Sequence, residues 1–239
     1  MIELGDIVRI NKLLSNLGIC SRKEAARYIE DGRVKVNGIL SIPGQWVEES
    51  DEILIDDEPV SAREKIYIAL NKPVGITCTA EKTVKGNIIE YINYPEYIFP
   101  VGRLDKLSQG LIILTNDGVL ANKILESENE HEKEYIVTLD RDFDEEFIKG
   151  MSSGVEICGQ VTRSCKVFRM DNNTFKIILT QGLNKQIRRM SKVFGYNVVK
   201  LERVRIMNIT LDGIEYGKYR FISKNEVEEM LRLTEKNNL

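Results

Sequence analysis

Three residues of this chain pair reactive side chains with positions at the tips of regular elements. Asp105 lies in FPVGRLDKLSQGLIILTNDG (residues 99–118), between Arg103 and Lys106 and just ahead of the apolar run 111–114. A carboxylate at a loop-to-strand junction can serve as nucleophile or general base. Taken alone, RLD is weak evidence, and a structural ion pair is the better reading. Tyr135 stands near the start of a strand in EKEYIVTL, with Lys133 two residues earlier on the same face. In QGLNKQIRRM a strand gives way to a helix that carries Lys185, Gln186, Arg188 and Arg189. A carboxylate, a phenol and a guanidinium so placed can converge on one cleft.

The elements that must hold these groups follow from hydrophobic periodicity. From residue 65 onward KIYIAL is a strand, NKPVG breaks it, and GNIIEYI is a short helix. GLIILT is a buried strand, DGVLANKILE a helix, EYIVTL a strand and DEEFIKGM a helix. VTRSCKVFRM and TFKIILT read as strands, NKQIRRMSKVFG as a helix and RVRIMNITL as a strand. SKNE is a capping box that opens a last helix through Leu231. The alternation predicts an α+β domain over 65–239 with a mixed, largely antiparallel sheet.

A smaller module precedes it, over about residues 7–60. Ile10, Leu13, Leu14 and Leu17 have helical spacing, SRKE is a second capping box, and Ala25, Ala26 and Ile29 form the stripe of the next helix. RVKVNG alternates and ends in Asn37-Gly38, a tight-turn signal. Short strands follow around Val47, Ile53 and Ile55, with Trp46 expected to pack among them.

With 42% hydrophobic and 30% charged residues the chain reads as an ordinary globular protein. Its apolar runs are too short to span a bilayer, and MIELGDIVRI lacks a signal-peptide pattern, which points to the cytoplasm. Cys20, Cys78, Cys158 and Cys165 form no CxxC pair, so neither zinc nor disulfides are expected, only buried reduced thiols. The net charge of −3 conceals segregation. Residues 9–38 carry Arg22, Lys23, Arg27, Arg33 and Lys35 among their basic residues, whereas 39–60 have none and include Glu48, Glu49, Asp51, Asp56 and Asp57. A second basic block, 181–205, contains Lys185, Arg188, Arg189, Lys192, Lys200, Arg203 and Arg205. Two such blocks suggest a polyanion partner, and solvated helix faces are the alternative.

The N-terminal module, with GRVKVNG at Gly32–Gly38, resembles the S4-like RNA-binding domain. GRLDKLSQGLIILTNDG, HEKEY and QGLNKQIRRM together resemble the pseudouridine synthases of the RsuA-like family, and KLERVRIMNITLDG is similar to the RluF group, which acts on 23S ribosomal RNA. The resemblance implies a cofactor-free, metal-free isomerase that breaks a uridine N-glycosidic bond and rejoins the base through carbon 5. It makes Asp105 the catalytic aspartate, Tyr135 the residue stacked on the base and Arg188 the partner that orients the carboxylate. Arg103 would fill the stack left by a flipped-out uridine, Ile187 would supply an apolar wall, and Leu104 would be an RNA contact. Further RNA contacts are expected at Lys72, Lys106, His131, Lys185, Gln186 and Arg189, and on the N-terminal module at Arg22, Lys23 and Arg27. The implied partner is ribosomal RNA, with transfer RNA left open, and the implied state is a monomer away from membranes. A non-catalytic ribosome-assembly factor and a nucleobase glycosylase remain as rival readings.

Overall fold

The computed structural model describes residues 7–48, 50–81, 83–125 and 130–235; Glu49 of the acidic run and residues 1–6 of the N-terminal stretch lie outside the described residues. The chain forms two compact units, the first comprising the residues up to 66 together with 94–98 and 115–119, the second the remainder.

The first unit opens with β1 (Val8–Arg9), α1 (Ile10–Asn16) and α2 (Arg22–Glu30). Ser21 caps α2: its hydroxyl accepts from the Glu24 amide at 3.1 Å, and its own amide donates back to the Glu24 carboxylate at 3.2 Å. Then come β2 (Val34–Val36), β3 (Ile39–Leu40), β4 (Trp46–Val47), β5 (Ile53–Ile55) and β6 (Glu58–Pro59). Asn37 and Gly38 turn β2 into β3 with φ of 50° and 78°, the left-handed pair a two-residue hairpin loop requires. Ile10, Leu14, Ala25, Ile29 and Val34 form the core, while Ala26 is only partly covered. Trp46 departs from expectation. It is 57% exposed on the β1–β4 ladder, with the Arg9 guanidinium 4.5 Å above its ring.

The second part of the chain runs β7 (Tyr67–Lys72), α3 (Ile88–Ile92), β8 (Phe99–Val101), β9 (Gln109–Thr115), α4 (Gly118–Leu125), β10 (Lys133–Leu139) and α5 (Glu145–Ser152). It continues through β11 (Glu156–Ile157), β12 (Gln160–Val161), β13 (Lys166–Arg169), β14 (Thr174–Leu179) and α6 (Gln186–Val193). Last are β15 (Val198–Ile206), β16 (Ile209–Thr210), β17 (Tyr219–Phe221) and α7 (Lys224–Glu235). The main sheet has the order β13-β14-β10-β15-β9-β7-β17. The β15–β9 pairing is parallel, and β10 pairs antiparallel with both β14 and β15. The fold is therefore α+β with a mixed, largely antiparallel sheet. Leu111, Ile113, Leu120, Ile124, Ile206 and Met230 meet in a core on one side of it.

Three segments differ from the periodicity reading. VTRSCKVFRM is interrupted, β12 ending at Val161 and β13 beginning at Lys166, because the Thr162 hydroxyl turns inward to accept the Val155 amide at 2.9 Å. RVRIMNITL is a hairpin rather than one strand, reversed at Met207 with φ 51°. The last helix continues beyond Leu231 to Glu235; its capping Ser223 and Glu226 interact as predicted, and Arg220 grips the same carboxylate at 2.7 and 2.9 Å.

One irregularity bears directly on the site. Between β10 and β15 the register shifts at Glu134/Tyr135, so that Glu134 faces Arg205 but Tyr135 faces Arg203. In an unbroken strand Arg203 and Arg205 would share a face. The extra residue, Val204, reverses the alternation and sends them to opposite faces.

Candidate active site

A cavity of about 530 Å³ opens in the second unit, a size suited to a nucleoside-scale ligand. Its wall is shared by the loop ahead of β9, the N-terminal end of β10, the loop into α6 and the middle of β15. Asp105, Tyr135 and Arg188 all line it, as do Arg103, Leu104, Lys106, Lys185, Gln186 and Ile187.

The aspartate loop is fixed by its backbone. Ser108 N donates to Asp105 O at 2.9 Å, and Gly75 N to Lys106 O at 2.7 Å. The Asp105 side chain is one-third exposed, and Arg188 Nε stands 3.9 Å from its Oδ2. The rest of the Arg188 guanidinium is anchored: Nη1 donates to Val198 O at 2.9 Å, Nη2 to Leu107 O and Ser108 Oγ at 3.2 Å each. Arg188 thus ties α6, β15 and the aspartate loop together and presents one edge to the carboxylate.

Tyr135 is 9% exposed, opposite Ile177 on β14 and Arg203 on β15. Its neighbour on the same face, Lys133, donates to His131 O at 3.2 Å. Burial, reinforced by Arg203, draws the Lys133 ammonium down to about 8. Gln186 and Ile187 are buried at the start of α6. The Gln186 side chain is committed to its own loop, accepting from Leu183 N at 2.9 Å and donating to Gln181 Oε1 at 3.4 Å. Arg103, Lys106 and Lys185 are exposed at the rim.

Several expected RNA contacts lie elsewhere. Lys72 is wholly buried and donates to Pro73 O and Ser108 O at 2.8 Å each, with burial holding its ammonium below the usual lysine range. It braces the aspartate loop from beneath and cannot track a phosphate backbone. His131 is 6% exposed, which removes it from the surface where a contact was expected. Arg189 does not line the cavity and donates to Asn184 Oδ1, at 3.0 Å, and to the Cys158 thiol. Arg22, Lys23 and Arg27 are exposed along α2 in the first unit. Of the cysteines, Cys20 and Cys78 are buried as expected, whereas Cys158 is exposed and Cys165 partly so. Among the described residues no three His, Cys, Asp or Glu side chains cluster as metal ligands, and no helix is long and apolar enough to cross a membrane.

The sequence reading passed over Arg203 and Ser108 as site residues. Arg203 was hidden inside a block of exposed-looking basic residues. Only the register shift, which has no sequence signature here, turns it into the cavity wall.

Comparison with known proteins bears on the same residues. The family model described as RNA pseudouridylate synthase matches residues 66–192, and the S4 domain model matches residues 8–53. The chain is 51% identical over 231 residues to the dual-specificity RNA pseudouridine synthase RluF of Escherichia coli K12, covering 95% of this chain and 80% of that protein. It is 30% identical over 236 residues to the ribosomal large subunit pseudouridine synthase B of Bacillus subtilis, covering 95% and 97% of the two chains. A crystal structure of a pseudouridylate synthase superposes with a TM-score of 0.70 at 29% identity, over 93% of this chain and 99% of that one.

Proposed function

The chain belongs to the RNA pseudouridylate synthase family, and we propose that it isomerises a specific uridine of 23S ribosomal RNA with Asp105 as the nucleophile. The observation that carries the assignment of roles is the Asp105–Arg188 pair, 3.9 Å apart, in a nucleoside-sized cavity that Tyr135 also lines.

In this reading the uridine leaves its stack, since a carboxylate in a cavity cannot reach a paired nucleotide. Arg103 occupies the gap, and Lys106 and Lys185 at the rim hold phosphates, which fixes position without reading sequence. An Asp105 oxygen attacks C1′ as the C1′–N1 bond breaks, and the electron pair leaves with the base. The base turns over the Tyr135 ring, C5 attacks C1′, and Asp105 departs. A proton leaves C5 and one is restored at N1, so no atom is gained or lost. An elimination route, in which Asp105 removes a ribose proton to give a glycal, uses the same residues. Arg188 fixes the carboxylate's orientation for either route.

The domain assignment that goes with this reading is RNA binding by residues 7–60 and catalysis by 65–239. In this reading the protein acts as a monomer, and a ribosomal substrate supports the cytoplasm as its place. The dual-specificity RNA designation of the Escherichia coli relative favours a second RNA substrate at the same site, for which transfer RNA is the candidate.

The test is site-resolved pseudouridine mapping on unmodified ribosomal and transfer RNA, incubated with wild type or Asp105→Asn. A new pseudouridine in 23S RNA is expected with wild type, with a loss of at least about a thousand-fold in the variant. A variant that still isomerised uridine would remove Asp105 from the chemistry. Binding without modification would favour the assembly factor, and free uracil the glycosylase.

A further inference from the structure

The roles given to Asp105, Tyr135 and Arg188 leave one wall of the cavity without a task. Arg203 lies there at 3% exposure. Its Nε donates to Leu111 O at 2.7 Å, while its Nη2 is buried and has no hydrogen-bond partner among the described residues. Guanidinium keeps its charge in any protein environment, so burial cannot be relieved by losing a proton. The neighbouring arginine of the strand shows how such a charge is ordinarily satisfied: Arg205 pairs with Glu132 at 2.9 Å and Glu134 at 3.1 Å. Arg203 has no comparable ion pair among the described residues, and the cations Lys133 and Lys72 are close enough for its charge to weaken their hold on a proton. The position is also enforced. Arg203 sits opposite Gly110 of β9, where a Cβ would stand 2.3 Å from Arg203 O, and opposite Tyr135 of β10, so the guanidinium and the phenol ring share a face.

A buried cation with a spare donor suits a ligand that becomes negative only when it is inside. A phosphate diester does not meet that description, because its charge is permanent and the exposed rim residues Arg103, Lys106 and Lys185 are where it can be met. The uracil ring does. When C1′–N1 breaks, the bonding pair stays on N1 and spreads to the O2 and O4 carbonyls. Asp105, Tyr135 and Arg203 line one cavity, so a base held over Tyr135 with its C1′ at Asp105 shares that cavity with Arg203.

We propose that Arg203 is a catalytic residue whose Nη2–H donates to a carbonyl oxygen of the flipped uracil and stabilises the anion formed on glycosidic cleavage. This rests on the glycosidic cleavage step of the pseudouridine synthase reading. The donor keeps its proton throughout; the only proton that moves is the one lost from C5 and regained at N1. The arrangement works like an oxyanion hole, a donor placed in advance where charge will develop.

The test compares single-turnover loss of the N-glycosidic bond in RNA carrying uridine or 5-fluorouridine at the target, with wild type and Arg203→Lys, which keeps a cation but lacks Nη2. Fluorine acidifies the base, so its anion needs less help. A loss of about 100-fold is expected on uridine and a clearly smaller one, about 10-fold, on 5-fluorouridine. Equal losses on the two substrates would mean a merely structural arginine and would overturn the proposal. Should Arg203→Lys fail to fold by thermal melting, a crystal structure of Asp105→Asn with bound RNA decides the matter. Nη2 within hydrogen-bond reach of uracil O2 or O4 supports the proposal, and Nη2 directed at a phosphate or a backbone carbonyl refutes it. If wild type leaves every glycosidic bond intact, the synthase reading fails and takes this inference with it. Cleavage without rejoining would sink the synthase reading alone.

Discussion

At the scale of single residues, the site depends on how few of its charges are opposed. Around the cavity Arg188, Arg203 and Lys133 gather near one described carboxylate, Asp105, and Arg188 touches it with only one nitrogen. The other Arg188 nitrogens are spent on Val198 O, Leu107 O and Ser108 Oγ. Lysine at that position keeps the charge but not the planar fork that spans three carbonyl and hydroxyl partners. Arg188→Lys is therefore expected to lower the single-turnover rate about 100-fold with little change in RNA affinity, because it loosens the carboxylate rather than the substrate. A fall confined to affinity would make Arg188 a phosphate contact. Lys133 gives a second handle. Its ammonium titrates near 8 in the folded protein and near 10.4 when unfolded, so below pH 8 the charged form is buried at a cost. Between about 8 and 10.4 the unfolded chain binds more protons, and stability rises with pH. Denaturant titrations of wild type and Lys133→Met should show wild type gaining relative to the variant across that window, by up to about 2 kcal/mol after allowance for partial exposure. A constant difference would place Lys133 in water. Asp105, Tyr135 and Arg188 were legible in the sequence as residue types at element tips. The burial of Lys72 was not, because KP reads as an exposed turn and nothing local shows that the Ser108 carbonyl closes over it.

Among elements, the decisive contact is β9 against β15. Strands this close normally keep their side chains apart by alternation, yet the parallel pair meets where Gly110, at φ +102°, lies under the Arg203 backbone. A methyl group there would meet Arg203 O at 2.3 Å and Arg203 N at 2.7 Å, both backbone atoms that cannot rotate away. Gly110→Ala should cost about 3 kcal/mol or more in urea unfolding, since it combines overpacking with a left-handed φ. Gly32→Ala is the control: φ is +69° but nothing lies within 4 Å, so only the backbone term of about 1 kcal/mol applies. Equal losses for the two would show that close approach contributes nothing. Helix caps and apolar strands were readable because each is specified by neighbours within four residues, as in SRKE and GLIILT. The bulge that separates Arg203 from Arg205, and the break at Met207, depend on which strand lies alongside, and no window of sequence contains that partner.

Over the whole molecule, the charge pattern that suggested a polyanion partner is redistributed by folding. In the first basic block Arg33 is held by Asp56 and Lys35 by Asp57, so the acidic stretch neutralises part of the face beside it. In the second, Arg203 is buried, Arg205 is paired with Glu132 and Glu134, and Lys200 lies 3.1 Å from Glu202. The sequence showed that positive charge clusters, but not which members stay exposed, because exposure depends on contacts far along the chain. What α2 leaves exposed is Arg22, Lys23 and Arg27. If this helix holds RNA backbone, each cation releases counterions on binding, and the affinity of a single-stranded segment should depend on salt by about 0.7 log units per contact. Replacing all three by alanine should then flatten the slope of log K against log salt by about 2 and weaken binding at moderate salt by tens of fold. The single-turnover rate at saturating enzyme should stay unchanged, because no α2 residue lines the cavity of Asp105, Tyr135 and Arg188. A slope equal to that of wild type would show that the first unit does not contact phosphates through α2. An unchanged slope with a slower chemical step would give α2 a role in presenting the uridine instead of holding the strand.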